Sequence, residues 1–118
     1  MKKILFSLAL LASFCAQAED SVLRFHGFAY DLETGQHLYT EVHKQNVQDG
    51  RWISGSIRYY DPLGKEIGFK TLDFSQDPYV PVYRTTLSYV DYYEGISAVT
   101  ADGIVMVKKA RGKKEKTA

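Results

Sequence analysis

Residues 25–43 read FHGFAYDLETGQHLYTEVH and carry the pattern of a β-hairpin. Two runs that alternate apolar and polar residues flank DLETGQ, a turn cluster whose Gly35 can adopt the positive φ that closes a short β-hairpin. If the strands are in register with Tyr30 opposite His37, Phe25 faces Val42, Gly27 faces Thr40 and Ala29 faces Leu38. The other face then pairs Arg24 with His43, His26 with Glu41 and Phe28 with Tyr39. All three histidines of the chain lie here, at 26, 37 and 43. On that register His26, Glu41 and His43 stand within about 5 to 8 Å of one another at their side-chain bases, a spacing that one zinc ion can bridge. His37 lies about 20 Å from His43 along the strand and stays outside the set. Arg24 on the same face opposes a dication. A cross-strand His–Glu pair on a half-exposed strand accounts for these residues without a metal.

The same turn chemistry recurs as DPLGK from Asp61 and TADGI from Thr100. Pro62 presets φ for a turn that ends on Gly64. Pairing Tyr60 with Glu66 puts Ile53, Ile57, Tyr59, Ile67 and Phe69 on one side. Ser54, Ser56, Arg58, Glu66 and Lys70 then take the other, closed by Trp52 and Phe74 at the far end. The third hairpin sets Val99 near Val105 and Ser97 near Val107. In DPYVPVY, Pro78 and Pro81 each remove a ladder donor, which predicts an extended connection or an edge. TTLSYVDYY, residues 85–93, reads as a further strand. The expected fold is all-β: an antiparallel meander of six or seven short strands in a curled sheet, a half-barrel or a small sandwich. Breaks in the alternation at Lys44, Asp73 and Asp91, and a strand count below eight, argue against an outer-membrane barrel.

Ahead of this domain, Lys2 and Lys3, an apolar run over residues 4–14 and the small-residue site Ala16-Gln17-Ala18 form a secretory signal peptide, with cleavage expected after Ala18. The run is too short to span a bilayer, and no transmembrane segment is expected in the mature chain. Phe14 before Cys15 argues against lipoprotein anchoring there. The expected compartment is the periplasm. Residues 19–109 form a single domain without cysteine, so its stability comes from apolar burial and not from disulfides.

Charge divides the mature chain. Residues 19–107 carry seven basic and thirteen acidic groups, whereas residues 108–118 carry six basic groups against Glu115. An acidic body argues against nucleic-acid binding. Residues 110–118 read as a basic, disordered tail that would at most touch anionic lipid or lipopolysaccharide.

Catalytic motifs are sparse. There is no mature cysteine, no Gly-x-Ser-x-Gly and no phosphate-cradling glycine loop opening a helix. The tyrosines stand out instead, above all Tyr59, Tyr60, Tyr92 and Tyr93. Rings with a polar tip suit sugar, lipid or peptide surfaces, and they also suit sheet margins. Neighbours on a strand point to opposite faces, so at most half of them share one patch.

FAYDLETGQHLYTEVH, YYDPLGKEIGFKTLDF, DPYVP and YYEG together resemble the opening half of an uncharacterised family of exported bacterial proteins. The shared residues are Ala29-Tyr30-Asp31, Thr34-Gly35, Leu38-Tyr39, Glu41, His43, Tyr60-Asp61, Gly64, Lys70, Asp73-Phe74 and Glu94-Gly95. The likeness runs from Phe28 to about Gly95. It implies no activity, and hence no role for any residue. It does imply further strands in longer relatives, so that this chain is either a shortened version or a sheet completed by a partner. An unpaired strand over residues 104–109 would then be a template for strand addition and for a strand-edge homo- or hetero-oligomer.

The expected function is an exported, non-enzymatic module that binds a partner protein, envelope polymer or lipid through an exposed sheet face or edge. The alternatives are a zinc module built on His26, Glu41 and His43, and a hydrolase using acids such as Asp73 and Asp91.

Overall fold

A computed structural model describes residues 20–118; the expected signal peptide with its cleavage after Ala18, and Cys15, lie outside the described residues. The chain forms one antiparallel sheet whose eight strands stand in chain order: β1 (Ser21–Tyr30), β2 (His37–Gln48), β3 (Arg51–Tyr60), β4 (Glu66–Asp73), β5 (Val82–Leu87), β6 (Tyr92–Thr100), β7 (Gly103–Lys109) and β8 (Lys116–Thr117). Each strand pairs only with its sequence neighbours, leaving β1 and β8 as the edges of a curled meander among the described residues. The all-β expectation holds, with one strand more than expected. No helix among the described residues is long and apolar enough to cross a membrane.

Local chemistry makes the turns. The Asp31 carboxylate accepts hydrogen bonds from the amides of Glu33 (2.9 Å) and Thr34 (2.8 Å), while Gly35 takes φ +70° and donates to the Asp31 carbonyl. Asp61 repeats the device, accepting from the amides of Leu63 and Lys65 beside Gly64 at φ +82°. These side chains mimic a backbone turn and satisfy amides that the loop leaves free. β2 and β3 are joined by Asp49-Gly50, with φ of 51° and 73°, a two-residue turn whose twist matches the flanking strands.

The registers depart from expectation for one physical reason. Tyr30 does face His37, and Tyr60 does face Glu66, but a β-bulge follows each pair. Leu38 and Ile67 are the extra residues, and beyond them every pairing moves by one. Phe25 faces His43, His26 faces Val42, Gly27 faces Glu41 and Arg24 faces Lys44. Phe69 faces Arg58 and Lys70 faces Ile57, so these two exchange the sides expected of them. Two further bulges follow: Ile53 is the extra residue opposite Asn46 and Val47, and Ser97 is the one that sets Ala98 against Val105 and Val99 against Ile104. Bulges sharpen the right-handed twist, which is how a meander curls without a second layer.

The basic end is not a free tail. Lys116 and Thr117 pair with Lys108 and Val107, and Ala118 exchanges both main-chain hydrogen bonds with Met106. The expected disorder gives way because β7 presents unpaired main-chain groups that this segment satisfies. Part of the edge expected over residues 104–109 is therefore occupied.

The sheet is a single layer. Among the described residues Ile96 is the one buried hydrophobic side chain. Residues directly opposed across strands share a face, and one row crosses the whole sheet: Phe25, His43, Ile57, Lys70, Thr85, Glu94, Lys108 and Lys116. This face, here the tyrosine face, also carries Tyr59, Leu72, Tyr83, Tyr92 and Ile96. The opposite face carries His26, Phe28, Arg58, Phe69, Arg84 and Tyr93.

Candidate binding face

The tyrosine face holds a groove of about 320 Å³ lined by Tyr39, Tyr59, Ile67, Thr85, Leu87 and Tyr89. Next to Ile67, Gly68 lets two of these side chains approach closely: a Cβ there would sit 3.0 Å from Leu87 Cδ2, 3.2 Å from the Thr86 carbonyl oxygen and 3.3 Å from Tyr59 Cδ2, so a larger residue would push Leu87 and Tyr59 aside. Tyr39 and Tyr59 meet edge to face with ring centroids 6.0 Å apart. Tyr89 reaches the groove from a short 3-10 turn, Ser88–Val90, which ends on Asp91 in the left-handed region. The Tyr59 hydroxyl is pushed above the usual phenol range, first by burial, then by the charge of Glu41 and by Tyr39. It stays a neutral donor in a largely apolar surround.

Polar pairs frame the groove. Glu41 Oε2 accepts a 2.7 Å hydrogen bond from His43 Nε2, and the His43 ring stacks on Phe25 at 4.4 Å. Lys70 Nζ lies 4.7 Å from the Tyr83 ring, and the Tyr92 hydroxyl donates to Glu94 at 2.6 Å. Cations resting on rings keep aromatic carbon in contact with a partner while the charge faces water.

The residues singled out from the sequence separate into two sets. Tyr59 and Tyr92 share the tyrosine face. Tyr60 and Tyr93 lie on the opposite face, where Arg84 sits 3.9 Å over the Tyr93 ring and the Tyr93 hydroxyl donates to Glu115. Glu41 and His43 are joined, but His26 stands opposite Val42 on the other face and does not reach them. The bulge at Leu38 separates the three-residue set. Among the described residues no group of three or more histidine, cysteine or acidic side chains converges to hold a metal ion. Asp73 faces Val82 at the start of β5, whereas Asp91 precedes Tyr92, which faces Leu87 at its end. The two acids are thus about 17 Å apart along the sheet, too far for paired carboxylates.

Of the groove residues, Tyr59 and Tyr89 are among the tyrosines the sequence brings forward, whereas Tyr39, Ile67 and Leu87 are not. The signal was available in the two similar turns: a bulge after Tyr-Asp…Gly in both hairpins sends Tyr39 and Ile67 to the same side as Tyr59. No protein-family model matches the chain, and no curated protein or solved structure matches it.

Proposed function

We propose that the protein is an exported, non-enzymatic binding module, and that the tyrosine face is where it holds its partner. The observation that supports this is the open groove of Tyr39, Tyr59 and Leu87 on a sheet with no second layer. A sheet normally buries one face against another element, and among the described residues an apolar, aromatic strip has none. Aromatic and aliphatic walls and one neutral phenol fit an aliphatic or aromatic group of a protein, envelope polymer or lipid. The zinc and hydrolase readings have weaker support, since their residues lie on different faces or at different ends of the sheet.

The test uses 1-anilinonaphthalene-8-sulfonate as an apolar fluorescent probe. Saturable binding to the folded chain should weaken about tenfold in Tyr39→Ser and in Tyr59→Ser, a loss of about 1.4 kcal/mol. Tyr60→Ser, on the opposite face, should bind as the parent does. Equal binding by all three variants would remove the groove from consideration.

A further inference from the structure

β1 is an edge of ten residues, and among the described residues no strand pairs along its outer side. It lacks the devices that blunt such edges: it has no proline, and Arg24 is its one fixed charge. Its side chains are also the least covered of the long strands, with Phe28 60% exposed and Leu23 50% exposed. The opposite edge, β8, is two residues long and lies in a lysine-rich segment.

On the face that carries Arg24, two arginines from strand interiors rest on rings, whereas Arg51 stands at the very start of β3, opposite Gln48. Arg58 lies 4.6 Å over the Phe69 ring and Arg84 lies 3.9 Å over the Tyr93 ring, each ring belonging to the adjacent strand. Arg24 faces Lys44 on β2 instead, a like charge, and Phe28 two turns of the pleat away stands open on the outer margin. We propose that β1 is the seam of a symmetric homodimer, in which two copies join edge to edge by antiparallel β1–β1 pairing centred on His26.

The register follows from the pleat. A two-fold axis normal to the sheet keeps each face on its own side, so opposed residues must both be odd or both be even in number. With His26 opposite its own copy, Arg24 meets Phe28, Phe25 meets Gly27, Leu23 meets Ala29 and Val22 meets Tyr30. Every exposed apolar side chain of β1 then gains a neighbour, and Arg24 gains the ring that Arg58 and Arg84 already have. Centring on Phe25 sets Phe28 against Val22 and Arg24 against His26, so Arg24 gains no phenyl ring. Centring on Gly27 shortens the ladder and sets Leu23 against Asp31. This seam uses the main chain of β1 and does not depend on what the tyrosine face binds.

Two measurements on the full chain test it. Opposed residues of an antiparallel pair stand about 4.5 to 5.5 Å apart at Cα, within the range a disulfide bridges. In a Cys15→Ser background, His26→Cys should give a disulfide-linked dimer on mild oxidation, while Phe28→Cys, whose own copy is off the axis, should remain unlinked. Sedimentation equilibrium of the parent should give a dimer whose dissociation constant rises at least tenfold in Phe28→Lys, which sets lysine against Arg24. A monomeric parent overturns the proposal. So does a dimer in which His26→Cys fails to link, or links no better than Phe28→Cys, because the contact then lies elsewhere.

Discussion

Gly95 sits where β5 and β6 approach most closely, and replacing it with alanine probes the pairing that carries Thr85 and Leu87 into the groove. A Cβ at this position would lie 1.9 Å from the Tyr83 carbonyl oxygen, 2.8 Å from its carbon and 3.0 Å from Arg84 Cα. All three atoms are main chain, so no side chain can swing aside. Restoring ordinary contact requires the strands to part by about 1.5 Å. That displacement strains the ladder on either side of Arg84↔Gly95. Overpacking costs about 1 to 3 kcal/mol, and two weakened hydrogen bonds add about 1 kcal/mol each. The expected loss is about 3 to 5 kcal/mol, or a fall in Tm of at least about 10 °C for a domain of this size. Gly35→Ala is the control: its φ is +70° with nothing within 4 Å, so only backbone strain of about 1 kcal/mol applies. Urea denaturation followed by far-UV circular dichroism reads both. If Gly95→Ala lies within 1 kcal/mol of the parent, or costs less than Gly35→Ala, the close approach of β5 and β6 is wrong.

Other outcomes follow from particular contacts. Amides of Thr34 and Glu33 hold the Asp31 carboxyl below the usual carboxylate range. Its stabilising effect is therefore complete above about pH 4 and is lost as pH falls through the depressed folded value. Asp31→Asn, which keeps the acceptor, should flatten that part of the acid-unfolding profile. Trp52 and Phe74 have ring centroids 4.8 Å apart, and the Trp52 indole donates to the Ser54 carbonyl. A double-mutant cycle to leucine should return a coupling of about 0.5 to 1.5 kcal/mol, and a coupling near zero would detach the β4–β5 connection from this end. Zinc titration by calorimetry should be unchanged by His26→Ala, because that ring faces away from Glu41 and His43; a loss of affinity would place all three on one ion.

The sequence by itself determined the hairpins. Asp31 with Gly35, and Asp61 with Gly64, specify their turns through hydrogen bonds that span four or five residues, and alternation around them specifies strands. Asp49-Gly50 is equally local, a two-residue turn specified by its own positive φ values. The tertiary structure decided which side each residue takes. One extra residue at Leu38, Ile67 or Ser97 leaves the local alternation almost intact yet moves every later pairing by one, and that is why His26 left Glu41 while Phe69 and Lys70 exchanged faces. Nor could local pattern show that Lys116 and Thr117 would pair. A two-residue lysine-bearing segment has little strand preference of its own, and it becomes a strand because β7 offers unpaired amides and carbonyls at the right distance. The groove has the same origin: Tyr39, Tyr59 and Leu87 come from three separate strands, and only the curled stacking of those strands brings them together.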